Sequence, residues 1–274
     1  MPLQDRLLDC TDAQKRAEAI AKAAEVVRDG KILVLPTDTV YGVGADAFDV
    51  VAVAMVLAAK HRGREMPPPV LVPDARTVDG LAIEVPMYAR ILMRQFWPGP
   101  LTLVLRSQPS LHWDLGETNG TVALRMPDDE VALAVLAEVG PMAVTSANVT
   151  GRPAATTGQE ALDQLGGAVA VYLDDGARTG GAPSTIVDCT AQEPVVLRVG
   201  ALDAARIRAV LGTTVLHDAP FAGSAAEEGA GPPPEPVEEA HVSPVAEQPT
   251  ASALDGLRPS GVVVPGGAVR TVEP

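Results

Sequence analysis

The chain has 274 residues, 47% of them hydrophobic, and a formal net charge of −14, enough apolar material for one large domain or two small ones. That acidic balance lacks the basic stripe of a protein that grips a nucleic-acid backbone. No run approaches ~18 uninterrupted apolar residues and Met1–Arg6 forms no apolar leader, so a cytoplasmic protein with no membrane association is expected.

In chain order, Ala17, Ile20, Ala24 and Val27 repeat at helical spacing, predicting an amphipathic helix over 13–29 that starts at Thr11 or Asp12 and stops at Gly30. Residues 31–35 form an apolar run that breaks at Pro36, the pattern of a buried strand delivering a loop to a sheet edge. In that loop Thr37, Asp38 and Thr39 precede Gly42 and Gly44. Their oxygens either face a ligand, with the glycines allowing close backbone approach, or satisfy a local turn. A helix over 49–60 then ends in Lys60, Arg62 and Arg64, with Pro67, Pro68 and Pro69 beyond. Cations there are either ordinary partners of the helix dipole or a phosphate site.

A short strand at 70–72, helical segments to Phe96 and a strand at 101–105 follow. The strand through 122–124 ends at Arg125, where no structural reason for a cation is evident and carboxylate binding is a candidate role. Next come a helix over 129–139 and a strand at 142–144 that releases Ser146 and Asn148, small groups suited to phosphate or ribose and equally common in turns. Strands at 168–173, 185–189 and 195–198 and a helix at 203–211 complete an α/β pattern, a sheet covered by helices with ligands gathered at loops leaving strand ends.

After residue 212 the composition changes: residues 213–274 hold ten prolines, nine acidic residues and two arginines, too little apolar material for a core. The expected organisation is a catalytic domain at 1–212 and a disordered, acidic, Pro-rich tail at 213–274.

Several familiar chemistries are absent. Gly42-Val43-Gly44 lacks the third glycine of a dinucleotide loop, and neither a Walker loop nor a nucleophile elbow is present. Cys10 and Cys189 sit in unrelated contexts, arguing against a disulfide or zinc site. His61, His112, His217 and His241 show no metal spacing, and Trp97 and Trp113 are expected to pack rather than stack on ligands.

Seven segments together resemble the threonylcarbamoyl-AMP synthase family, with its YrdC-like fold: PTDTVYG at 36–42, Lys60-x-Arg62, FWPGPLT at 96–102, ALRMP at 123–127, TSAN at 145–148, STIVD at 184–188 and LRVG at 197–200. The resemblance spans about residues 14–202. It implies a YrdC-like twisted mixed sheet flanked by helices, and an enzyme that makes threonylcarbamoyl-AMP and pyrophosphate from L-threonine, bicarbonate and ATP with Mg2+. The product would pass to a transferase complex that modifies tRNA.

By motif, Thr39, Arg125 and Ser184 would hold threonine, and Lys60, Arg62, Thr121, Ser146, Asn148 and Arg198 would hold ATP. Lys60 and Arg62 would also stabilise the leaving pyrophosphate. Family members carry an asparagine and a histidine near the positions of Met66 and Pro73, so neither contact is assigned here. A non-catalytic RNA-binding relative is the alternative, with room for weak RNA binding. A carbamoyl-adenylate domain of hydrogenase maturation would bring zinc-finger-like cysteines, which this chain lacks.

Overall fold

The computed structural model describes residues 2–179 and 181–219. The strands in chain order are β1 (Leu7–Asp9), β2 (Leu33–Leu35), β3 (Gly42–Asp46), β4 (Val70–Leu71), β5 (Ala82–Ile83), β6 (Leu101–Ser107), β7 (Thr121–Arg125), β8 (Met142–Ser146), β9 (Val171–Asp174), β10 (Thr185–Asp188), β11 (Val195–Arg198) and β12 (His217–Asp218). They form one mixed sheet in the order β1-β9-β2-β3-β8-β4-β7-β6-β10-β11-β12, with β5 paired to β6. The helices are α1 (Ala13–Arg28), α2 (Val50–Ala59), α3 (Val78–Leu81), α4 (Met87–Phe96), α5 (Glu130–Val139), α6 (Gly158–Leu165) and α7 (Ala204–Leu211).

The helices begin where carboxylates can cap them. Asp12 accepts from Gln14 N and Lys15 N, Asp49 from Val51 N and Ala52 N, and Asp129 from Ala132 N, satisfying donors that would otherwise be orphaned. Period-two alternation then sorts the strands between two faces. Leu33 and Leu35 point to α1 and α5 with Leu71, Met142 and Val144, whereas Ile32 and Val34 point to α2 and α6 with Val43 and Ala45. On that second face Leu101, Leu103, Leu105, Val122 and Leu124 pack against α3, α4 and α7.

The first face is covered only in part. Over β6, β7 and β10 its residues are Thr102, Val104, Thr121, Ala123, Arg125 and Ile186, and they line a cavity. An open sheet face supplies the floor of this cavity, and the loops leaving strand ends, where ligands are expected, supply its walls.

Gly42-Val43-Gly44, expected as loop, is strand. A Cβ on Gly42 would lie 2.5 Å from Val144 Cγ1, and one on Gly44 would lie 2.6 Å from Val144 Cγ2, so both glycines make room for the neighbouring strand. The described fold also runs past the expected boundary at 212, since Leu216 is buried and β12 pairs with β11. The rest of the expected tail, 220–274, and His241 within it, lie outside the described residues. Among the described residues no helix is long and apolar enough to cross a membrane.

Candidate active site

The cavity holds about 370 Å³ and is lined by Thr39, Arg62, Thr121, Arg125, Ser146, Ser184 and Arg198, seven of the nine expected site residues. They arrive from several separate pieces of local chemistry. On β7 the period of two puts Thr121, Ala123 and Arg125 on one face, spreading the polar ends over about 13 Å of floor at ~3.3 Å per residue.

Arg125 has the structural reason that its sequence context hid. Its Nε donates to Gly99 O at 3.0 Å, Nη1 to Thr39 Oγ1 at 3.1 Å, and Nη2 to Asp38 Oδ1. Gly99 N in turn donates to Met126 O at 2.9 Å, so the Phe96–Leu101 turn and the loop after β2 hold the guanidinium from two sides. Burial pulls its pKa down, against the opposing pull of Asp38. Asp38 thus pairs with Arg125 and is not among the cavity-lining residues. Thr37 Oγ1 donates to Val40 O at 2.6 Å and stands 3.0 Å from Thr39 Oγ1. The local-turn reading holds, and the same self-satisfied turn places Thr37 and Thr39 in the cavity wall.

The spacing of Lys60 and Arg62 follows from how α2 ends. His61 adopts φ 53, with His61 N donating to Ala58 O at 3.0 Å and Arg62 N to Leu57 O at 3.0 Å, the Schellman pattern with a non-glycine in the left-handed position. Arg62 Nη1 donates to Thr145 Oγ1 at 2.9 Å, while its buried Nε has no partner. Arg64 turns away to pair with Asp114 at 2.7 Å on the exposed surface. Pro67, Pro68 and Pro69 line the cavity; Met66 and Pro73 do not.

Lys60 and Asn148, both expected to touch ATP, lie behind the wall and are absent from its lining. Lys60 Nζ donates to the backbone oxygens of Ser146 and Asn148 and to Asn148 Oδ1. Burial, and then neighbouring Arg62, pulls the Lys60 pKa down to about 7.

On the opposite side, Ser184 Oγ is 2.8 Å from Thr102 Oγ1, and Arg198 donates twice to Ser184 O, at 2.8 and 3.3 Å. Burial, then Arg125 and Arg62, lowers the Arg198 pKa. Three guanidiniums therefore converge on one cavity of an acidic protein, and of these three only Arg125 has an ion-pair partner among the described residues. Such a cluster fits a polyanion.

Residues to which the sequence assigned no site role also matter. Thr102, Thr118 and Thr145 add hydroxyls to the wall. Gly200 lets its own turn approach Ser184, because a Cβ there would lie 2.1 Å from Pro183 O. Thr102 and Gly200 close the FWPGPLT and LRVG motifs, but their sequence context gave neither a role in the site. Trp113 stacks on Phe48 at 5.4 Å, and Trp97 is buried in the core, so both pack as expected. His217 meets Glu193 at 2.6 Å on the exposed surface. Both cysteines are free and buried.

Residues 25–200 match the Sua5/YciO/YrdC family model, described as telomere recombination. The chain is similar to a Mycobacterium leprae protein provisionally named threonylcarbamoyl-AMP synthase, 53% identical over 212 residues, which are 77% of this chain and 96% of the relative. It is 36% identical to the threonylcarbamoyl-AMP synthase of Pyrococcus abyssi over 74% of this chain and 60% of that protein. A crystal structure of P. abyssi Sua5 complexed with L-threonine superposes with a TM-score of 0.73 at 34% identity, covering 77% of this chain and 62% of the other.

Proposed function

The chain belongs to the Sua5/YciO/YrdC family, and from that premise we propose that it is an L-threonylcarbamoyladenylate synthase. It is a nucleotidyltransferase that joins L-threonine, bicarbonate and ATP, and its product serves the N6-threonylcarbamoyladenosine modification of tRNA through a downstream transferase complex. The observation that carries the reading is the convergence of Arg62, Arg125 and Arg198 on a hydroxyl-rich cavity in a chain of net charge −14.

The chemistry asks for alignment and charge neutralisation rather than a protein nucleophile. The threonine amine takes up the carboxyl carbon of bicarbonate with loss of water. The resulting carbamate oxygen attacks the α-phosphorus, and the bond to the β-phosphate oxygen breaks to release pyrophosphate.

Arg125 uses three N–H groups on Gly99, Thr39 and Asp38, leaving two of a guanidinium's five for the threonine carboxylate. Thr39 and the Ser184–Thr102 pair offer hydroxyls beside it. Arg62 and Arg198 hold no carboxylate among the described residues, and in this reading they take the phosphates, with Thr121 and Ser146 alongside.

Mg2+ fits as an ion carried by the nucleotide, where it would neutralise phosphate charge. The cavity offers it hydroxyls, and the described residues contain no cluster of three acidic, histidine or cysteine side chains. A surface RNA-binding role gains no support, because these arginines are gathered inside a cavity instead of spread along a face.

The test is pyrophosphate release by the purified chain. It should require threonine, bicarbonate and ATP together; a folded protein that releases none would refute the proposal.

A further inference from the structure

Lys60 belongs to the element expected to face phosphate, yet its side chain is committed elsewhere. It is 2% exposed and does not line the cavity. Its Nζ donates to Ser146 O, to Asn148 O at 2.7 Å and to Asn148 Oδ1 at 3.2 Å, with Ser146 Oγ at 3.5 Å. An ammonium has three donors and no acceptor, so this one turn consumes all of them. The backbone repeats the grip, since Lys60 O accepts from Thr150 N at 3.0 Å and Thr150 Oγ1 at 2.9 Å.

We propose that Lys60 is a positioning residue that never touches the ligand: its ammonium fixes the Ser146–Ala147–Asn148 turn, and thereby the Ser146 hydroxyl in the cavity wall. The idea rests on the synthase reading for the identity of the nucleotide. The physical need is clear. The carbonyls of Ser146 and Asn148 converge on a buried point, where unpaired they would repel each other and lose hydrogen bonding. A lysine stem is long enough to bring three donors there, and the concentrated oxygens offset the desolvation of its charge.

A neutral amine would supply only two donors, turning its lone pair toward an acceptor and loosening the turn. The turn is therefore sensitive to protonation, and burial with Arg62 already holds this ammonium down to about 7. The charged group that faces it is Arg62 on its own loop; the packed segment from the end of β8 onward presents uncharged Ser146, Asn148 and Thr150.

The experiment is calorimetric titration of ATP into the full chain and into Lys60→Met, Ser146→Ala and the double variant, at pH 6 and pH 9. Lys60→Met should weaken ATP binding by ~10-fold or more at pH 6 and by distinctly less at pH 9, where the wild type has lost the proton as well. In the double variant the Lys60 effect should shrink to within about threefold, because both changes act on one turn. The salt dependence of ATP affinity should match the wild type.

Additive losses, or a shallower salt dependence of the kind expected when a cation–phosphate contact is lost, would overturn the proposal in favour of direct contact. Lys60→Gln guards against a variant that fails to fold. Its amide still donates to the turn, so it should bind ATP better than Lys60→Met, whereas direct charge contact predicts equal losses. A wild type that binds ATP but releases no pyrophosphate would sink the synthase reading while leaving this comparison readable.

Discussion

Arg62→Gln should harm function while leaving the ligand-free protein as stable as before, or more so. In the free protein the guanidinium has one hydrogen bond, to Thr145 Oγ1 at 2.9 Å, a buried Nε with no partner, and no carboxylate in ion-pair range among the described residues. An unpaired buried donor costs about 1–3 kcal/mol, and a hydrogen bond of the Thr145 kind returns about 1 kcal/mol. Burial and repulsion from Lys60 and Arg198 add to the cost and the Glu65 carboxylate, beyond ion-pair range, offsets part of it, all screened because Arg62 is only half-buried.

Glutamine removes the charge and the orphan and keeps a donor for Thr145. The ligand-free midpoint should hold or rise by about 2–4 °C, as a gain near 1 kcal/mol gives for a domain of this size. With ATP the sign reverses. One or two charge-assisted bonds worth about 1.5–3 kcal/mol each disappear, raising the KM for ATP by ~10–100-fold or more, while the KM for threonine moves less than about threefold. Thermal melts with and without ATP, and pyrophosphate release with each substrate varied, read both halves. A ligand-free loss above about 1 kcal/mol, together with an unchanged ATP-induced rise, would mean that Arg62 is a structural cation and refute the reasoning.

Ser184→Ala removes one hydroxyl of the pair with Thr102 and should raise the KM for threonine ~10-fold with that for ATP within about threefold; equal shifts in both would contradict the division of the cavity. Gly200→Ala forces a Cβ to 2.1 Å from Pro183 O and 2.6 Å from Ser184 O, so Ser184 must move, and kcat/KM for threonine should fall by ~10–100-fold, a change steady-state kinetics would detect or exclude. His61→Gly relieves a left-handed residue at φ 53 that costs roughly 1–2 kcal/mol, less the extra entropy glycine has when unfolded, and should raise the thermal midpoint by a few degrees; a lower midpoint would show that the His61 side chain contributes more than its backbone costs.

Helices α1, α2 and α5 were legible because in each an apolar period or an apolar run follows an aspartate cap. Asp12, Asp49 and Asp129 each accept hydrogen bonds from the first turn, and the expected limits of α1, α2 and α5 fall within two residues of the observed ones. Strands β1, β5 and β12 were not legible. At two or three residues they carry no pattern of their own and exist because a neighbour's backbone offers partners. β3 was hidden for a different reason. Its Gly42 and Gly44 answer to Val144 on the adjacent strand, a tertiary demand that reads locally as loop.

Seven of the nine expected site residues meet in one cavity, but motif order alone could not distinguish Arg62, whose side chain lines it, from Lys60, whose side chain supports it from behind.

The location of the cavity explains why so much of the site depends on register. Thr121, Ala123 and Arg125 share one face of β7, and Val122 and Leu124 share the other, packed with Leu103 and Leu105 over α4. A slip of one residue would send Arg125 into that apolar layer and bring Leu124 into the cavity, exchanging a bound guanidinium for an unpaired buried charge. Pairing of Leu103 with Leu124 and of Val104 with Ala123 sets the register, and Arg125 locks it by reaching Gly99, Thr39 and Asp38 at once. The residue that meets the carboxylate in the proposed reaction is thus also the residue that penalises misalignment of its own strand. Arg62 differs: the end of α2 and the turn held by Lys60 set its position. The two halves of the cavity are fixed by separate devices, so a perturbation at Lys60 should reach nucleotide binding without disturbing Arg125.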